Sequence, residues 1–130
     1  MSSTTTHHQI GLDDARAITT PAATMRTYAA PSGPARASVA VWRTEMTAAA
    51  AGPLHTVSED QVMVLLSGNV RAEVDGVTYD VVPDQAILLP AGAPRQIIAG
   101  PDGAVGLVAS LPGARAKVGD GDEVPVPWAS

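Results

Sequence analysis

Residues 60–94 read DQVMVLLSGNVRAEVDGVTYDVVPDQAILLPAGAP, and this stretch decides the fold. Residues 60–66 (DQVMVLL) form a strand pattern, Ser67-Gly68-Asn69 a turn, and residues 70–74 (VRAEV) a second strand. Asp75-Gly76 is a strong hairpin signal, because both central positions of a type I′ turn need positive φ. Residues 77–82 (VTYDVV) return as a strand, and Pro83-Asp84 turns the chain again. Residues 86–89 (AILL) are an apolar strand that ends in a rigid Pro-Ala-Gly-Ala-Pro loop at 90–94. Short strands with turn signals at such regular spacing indicate an all-β sandwich or barrel.

Further strands follow at 95–99 and 104–111, around a Gly-Pro-Asp-Gly turn at 100–103. Upstream, residues 38–46 (SVAVWRTEM) alternate apolar and polar side chains and read as a strand. The TAAAAG run at 47–52 favours helix but is too short to hold one alone. Pro21, Pro31, Gly33 and Pro34 make residues 21–37 an extended arm. Residues 1–20 show no sustained periodicity beyond a possible helical turn at Asp13-Asp14, and are expected to be a flexible segment. His7-His8 within it is expected to be solvated tail. Residues 112–122 read as loop, and 124–128 as a Pro-interrupted tail along an edge. The expected organisation is a flexible segment 1–20 and one domain, 21–130.

Parity within 60–66 puts Gln61, Met63 and Leu65 on one face and Val62, Val64 and Leu66 on the other. Apolar side chains on both faces predict a strand buried between the interior and a second layer. A chain of 130 residues, 45% hydrophobic and 16% charged, has room for one core and should fold. Phe is absent and aromatics are 3%, so aliphatic residues and Met must fill that core. A net charge of −5 with scattered basic residues argues against nucleic acid. No apolar run is long enough to cross a bilayer as a helix, and the N-terminus lacks a leader pattern, so the expectation is cytoplasmic. With no cysteine, thiolate chemistry and disulfides are excluded. Neither a phosphate-binding Gly loop nor a nucleophile elbow is present.

Residues 52–99 resemble the cupin superfamily, small barrels that often hold one divalent metal. The first cupin motif runs Gly, five residues, His-x-His, three or four residues, Glu, six residues, Gly. Anchored on Gly68, its Glu position falls on Gln61, its first His on His55 behind Pro53, and its second His on Val57. In the second motif Asp84 stands at the leading Gly, Pro90-Ala91-Gly92 match, Arg95 takes the His position and Ala99 the Asn position. The resemblance implies a single cupin-type double-stranded β-helix, or jelly-roll, barrel with an extended N-terminal arm. It also implies that His55, Gln61 and Arg95 converge at the barrel mouth.

Of the four ligand positions only His55 keeps a metal ligand, and Arg95 puts a permanent positive charge where a cation would sit. No cofactor is therefore expected; a divalent metal, if held, would rely on His55 and Glu59. His55 is the group whose pKa suits acid–base work, and Arg95 the anchor for a carboxylate, enolate or phenolate oxygen. Gln61 would orient either His55 or a substrate carbonyl. Val57, Met63, Leu65, Ile87, Leu89 and Ile97 would form an apolar wall, and Trp42 either a flat panel of it or, as a lone Trp in an aromatic-poor chain, part of the core. Each polar residue also has a purely structural role open to it. His55 would be a hydrogen-bonded rim histidine, Arg95 the ion-pair partner of Glu59, Asp60 or Asp84, and Gln61 a satisfied core amide.

The leading expectation is a metal-independent, non-redox isomerase, cyclase or lyase acting on a small organic molecule, anionic or carbonyl-bearing. Small cupins in Ala-rich, Arg-over-Lys chains of this kind are often tailoring proteins of natural-product biosynthesis. The alternatives are a non-catalytic binding or sensing module and a metal-dependent dioxygenase or isomerase. The resemblance further implies a homodimer, with Met25 and Tyr28 on the arm covering the mouth or a neighbouring subunit.

Overall fold

The computed structural model describes residues 8–130. Residues 1–7, which include His7 and the start of the segment expected to be flexible, lie outside the described residues. Strands β1 (Arg16–Thr19), β2 (Ala23–Ala30), β3 (Ala35–Arg36) and β4 (Ala40–Met46) precede the motifs. The motifs themselves lie on β5 (His55–Val57), β6 (Gln61–Val74), β7 (Val77–Val81), β8 (Ala86–Leu89) and the start of β9 (Arg95–Ser110). Strands β10 (Arg115–Val118) and β11 (Val124–Pro125) follow, and 3-10 turns lie at Leu12–Asp14, where a helical turn was expected, and at Pro127–Ala129. All eleven strands join one curled sheet, and no α-helix occurs among the described residues.

Two long strands organise the barrel. β6 and β9 pair antiparallel from Gln61↔Ser110 to Val74↔Arg95. Along its first half β6 also pairs with β8, and along its second half with β7. β4, β2 and β1 extend the sheet beyond the late half of β9; β5, β10 and β11 extend it beyond the early half. The turn expected at Ser67-Gly68-Asn69 is instead a pair of bulges inside a continuous strand, with register shifts after Leu65 and after Gly68. The Gly-Pro-Asp-Gly turn expected at 100–103 separates the two paired halves of β9: pairing with β6 passes from Ala99 to Ala104, and Gly103 takes φ of +81°. Turn chemistry marks a break in regularity at both places, and at 67–68 pairing with β9 carries the sheet through it.

The bulges change which parity faces inward. Gln61, Met63 and Leu65 are buried before them, and Val70, Ala72 and Val74 after them. Gly68 permits the close approach of β6 to β9 at the bulges: with φ at +75°, a Cβ there would lie 2.1 Å from the Gly103 carbonyl oxygen. Only a residue without a side chain lets the two backbones approach so closely. Asp75 and Gly76 have φ of +51° and +82°, as the hairpin reading requires. Asp84 replaces a motif glycine and still takes φ of +73°, a conformation Asp tolerates better than most residues.

Three expectations about the flanks and the layering differ from the structure. Residues 16–19, read as aperiodic, form β1 and pair with β2 from Arg16↔Thr27 to Thr19↔Thr24. Residues 115–118, read as loop, form β10 and pair with β5. Both are short and mostly exposed, so backbone pairing rather than an apolar pattern defines them. The extended stretch 21–37 is laid down as β2, with Ala23, Thr27 and Ala30 buried and Met25 packed on the core. Finally, no second layer covers β6 among the described residues: Val62, Val64 and Leu66 are 37–40% exposed, beside Leu88 at 55%. Apolar residues on both faces were read as two-sided burial, yet in this chain the outer apolar face meets solvent.

At the far end, the Thr27 hydroxyl donates to the Trp128 carbonyl at 2.7 Å, tying the terminal turn against β2. The Val124–Pro125 tail runs along an edge, as expected, paired with β10.

Candidate functional site

Four neighbouring strands carry one row of side chains from the interior to the solvent. Val74 on β6 lies opposite Arg95 on β9, Arg95 opposite His55 on β5, and His55 opposite Val118 on β10. Directly paired residues share a face of the sheet. Val74 and Arg95 are buried, His55 is half-buried and Val118 is exposed, so His55 stands at the boundary of the core.

The imidazole is oriented from behind. His55 Nδ1 lies 2.8 Å from the Pro53 carbonyl oxygen, which can only accept. Nδ1 therefore carries the proton, and in the neutral ring Nε2 is left as the basic nitrogen. Burial holds the His55 pKa below its ordinary value; the Pro53 bond works against this and the charge of Arg95 adds to it. A neutral, oriented imidazole beside a fixed cation is the form a general base needs.

Arg95 does not reach outward. It is the largest fully buried side chain, with 0% exposure. Its Nε donates to the Ala93 carbonyl at 2.9 Å, one Nη to Gln61 Oε1 at 3.3 Å and the other to the Pro90 carbonyl. None of the expected carboxylates pairs with it: the ion pairs among the described residues join Glu45 to Arg26 and Arg43. Asp60 acts on Arg95 through its field, while its Oδ1 accepts from the Ala91 amide at 2.7 Å. Gln61, 7% exposed, is a core amide whose oxygen is a direct partner of Arg95.

The loop at 90–94 is fastened on every side. Besides the Arg95 and Asp60 bonds, the Gly92 amide donates to the Val57 carbonyl at 2.9 Å and the Asp75 amide to the Pro94 carbonyl at 2.8 Å. The loop thus links the interior cation to β5, β6 and the β6–β7 turn.

The residues expected to form a ligand wall lie in the core. Trp42, Val57, Met63, Leu65, Ile87 and Leu89 are 0–8% exposed and belong to one cluster, with Ile97 partly buried against it. Thr27, Trp42, Val108, Met63 and Ile87 form a continuous row across five strands. An open groove of about 880 Å³, absent from the sequence reading, lies between β7 and β8. Ile87 and Val81 line it together with Tyr79, and Pro90 and Ala93 form one wall. Its signal in the sequence was the exposed apolar pattern of β7, an edge strand with Val77 and Tyr79 about half exposed.

The divalent metal implied by the resemblance does not fit these residues. Val57 offers no donor, the Gln61 oxygen already serves Arg95, and a guanidinium has no lone pair to give. Glu59 does not complete a set: no cluster of three His, Cys, Asp or Glu side chains occurs among the described residues.

With this geometry in hand, the class of protein is clear: the chain has the cupin fold. No protein-family model and no curated protein matches it. Among solved structures, it is similar to oxalate decarboxylase from Bacillus subtilis, with a TM-score of 0.71 at 18% identity. That match covers 85% of this chain but only 30% of the decarboxylase. The polyketide cyclase RemF from Streptomyces resistomycificus matches at a TM-score of 0.67 and 23% identity, covering 81% of this chain and 79% of its own. A sugar phosphate isomerase of the cupin superfamily from Silicibacter pomeroyi matches at 0.69 and 17% identity, covering 88% and 83%.

Proposed function

We propose that this chain is a small-molecule cupin catalysing a metal-independent, non-redox rearrangement of the isomerase, cyclase or lyase type. The observation that carries the reading is His55: half-buried, fixed through Nδ1 to the Pro53 carbonyl, and left with a basic Nε2 at the edge of the core. That nitrogen takes a proton from a carbon next to a substrate carbonyl and returns it elsewhere, conserving atoms and electrons. Arg95 contributes through its field, as a buried positive charge that favours the enolate oxygen forming nearby. This replaces the direct anchor expected from sequence, since Arg95 has no exposed surface. Exposed Leu54 and Val118 flank His55 and suit an organic substrate with an apolar body. The names of the similar cyclase and isomerase agree with chemistry of this class.

The test is deuterium exchange. Enolisable ketones, β-keto esters and ketose phosphates, incubated with the protein in D2O, are expected to gain deuterium at the carbon beside the carbonyl. His55→Ala is expected to reduce that exchange at least 100-fold. Equal exchange by both proteins would sink the proposal, and saturable binding without exchange would favour a binding module.

We also propose a homodimer, with the second copy on the outer face of β8, β6 and late β9. Val62, Val64, Leu66 and Leu88 form a contiguous uncharged patch there, and patches of this kind mark interaction sites. A twofold contact needs only that such a patch fit itself.

A further inference from the structure

We infer that the Arg95 guanidinium occupies the metal position of this barrel as a built-in, covalently attached cation that holds the 90–94 loop in place. The inference does not depend on His55 acting as a base. Four positions, 55, 57, 61 and 95, are those at which the resemblance places metal ligands, and the fold does bring them together. His55 lies opposite Arg95, Gln61 accepts a bond from Arg95, and the Val57 carbonyl holds Gly92 of the loop. The relation between them is inverted with respect to a metal centre. The residue at the second-motif His position supplies the cation, and the residue at the Glu position supplies an oxygen to it.

The chemistry of the partners fits that role. A buried charge is costly unless it is hydrogen-bonded. Here the partners are oxygens: the Gln61 amide and the carbonyls of Pro90 and Ala93. Because Gln61 is neutral, no charged side chain bonds the guanidinium, and the Asp60 carboxylate offsets its charge only through its field. An arginine also keeps its proton across the physiological range, so this cation is neither lost to chelators nor exchanged. Two of its three acceptors come from one loop, and that loop walls the groove between β7 and β8. Arg95 is thus a positioning residue that sets one wall of that groove.

Metal binding and loop protection test this together. Wild-type protein titrated with Zn²⁺ or Mn²⁺ alone is expected to show no stoichiometric uptake that depends on His55. Arg95→Met is expected to speed amide hydrogen exchange at Ala91, Gly92 and Asp75 at least tenfold, with Arg95→Lys between it and wild type. Amides of β2 and β4 should exchange at unchanged rates, which separates loop release from general destabilisation. The triple variant Val57→His, Gln61→Glu, Arg95→His should bind about one equivalent of Zn²⁺, at least 100-fold more tightly than wild type, and regain loop protection when loaded. Stoichiometric wild-type metal abolished by His55→Ala would overturn the inference. So would unchanged loop exchange in a folded Arg95→Met, or a folded triple variant that takes up no metal. If the triple variant does not fold, the wild-type titration and the Arg95 exchange series still decide.

Discussion

His55 on β5 and Arg95 on β9 face each other directly across the sheet, one half-buried and the other fully enclosed. The pair sets a fixed charge beside a titratable ring at the boundary between core and solvent. Its first consequence is pH-dependent stability.

Burial, with Arg95 adding, lowers the pKa of His55 in the folded chain, so the unfolded chain binds a proton more readily. Stability therefore falls as pH drops below the ordinary histidine value of about 6.5, and levels off below the folded pKa. Urea midpoints measured from pH 8 to pH 5 are expected to decline in wild type. His55→Ala should remove that part of the decline; an identical profile in the variant would assign it to other groups.

Gln61 matters through its oxygen. Gln61→Leu keeps the volume roughly but leaves a buried Arg95 N–H without an acceptor, and is expected to cost about 1–3 kcal/mol. Gln61→Glu keeps the acceptor and adds a charge partner, so its loss should be smaller. Denaturant unfolding of both variants checks the order.

Two glycines with similar φ should respond very differently to alanine. Gly68→Ala drives a Cβ to 2.1 Å from the Gly103 carbonyl where β6 bulges against β9. It is expected to cost about 3–5 kcal/mol or prevent folding. Gly76→Ala meets nothing within 4 Å and bears only the cost of a left-handed residue, about 1–2 kcal/mol. Thermal unfolding separates the two.

The outer apolar face is expected to control self-association and not folding. Val64→Lys with Leu88→Lys should leave stability within about 1 kcal/mol, since both sites are well exposed. Light scattering should give twice the chain mass for wild type and one chain mass for the variant. A wild-type protein that stays monomeric at high concentration would remove the second copy from that face.

Glu45 provides an acid-range control away from the mouth. Hydrogen bonds from Arg26 and Arg43 lower its pKa, so its contribution is present above the unfolded carboxylate value and fades as pH falls through the folded one. The pairs are partly exposed, so Glu45→Gln should cost about 0.5–1 kcal/mol and less in high salt.

That positions 55, 61 and 95 converge was what the resemblance to cupins implied; the sequence by itself determined the all-β class, the Asp75-Gly76 hairpin and the central strands. These follow from period-two patterning and turn chemistry, both of which act over short stretches of chain. Only the tertiary structure decided that Ser67-Gly68-Asn69 bulges within a strand, because β9 keeps pairing through it. Pairing with a distant partner likewise made strands of residues 16–19 and 115–118, which have little apolar pattern of their own. It also decided that Val62, Val64 and Leu66 face solvent, since an apolar face does not encode what covers it. Above all it turned Arg95 inward. A guanidinium points to whichever acceptors the fold brings within reach, and Gln61, Pro90 and Ala93 meet around it only after the barrel has closed.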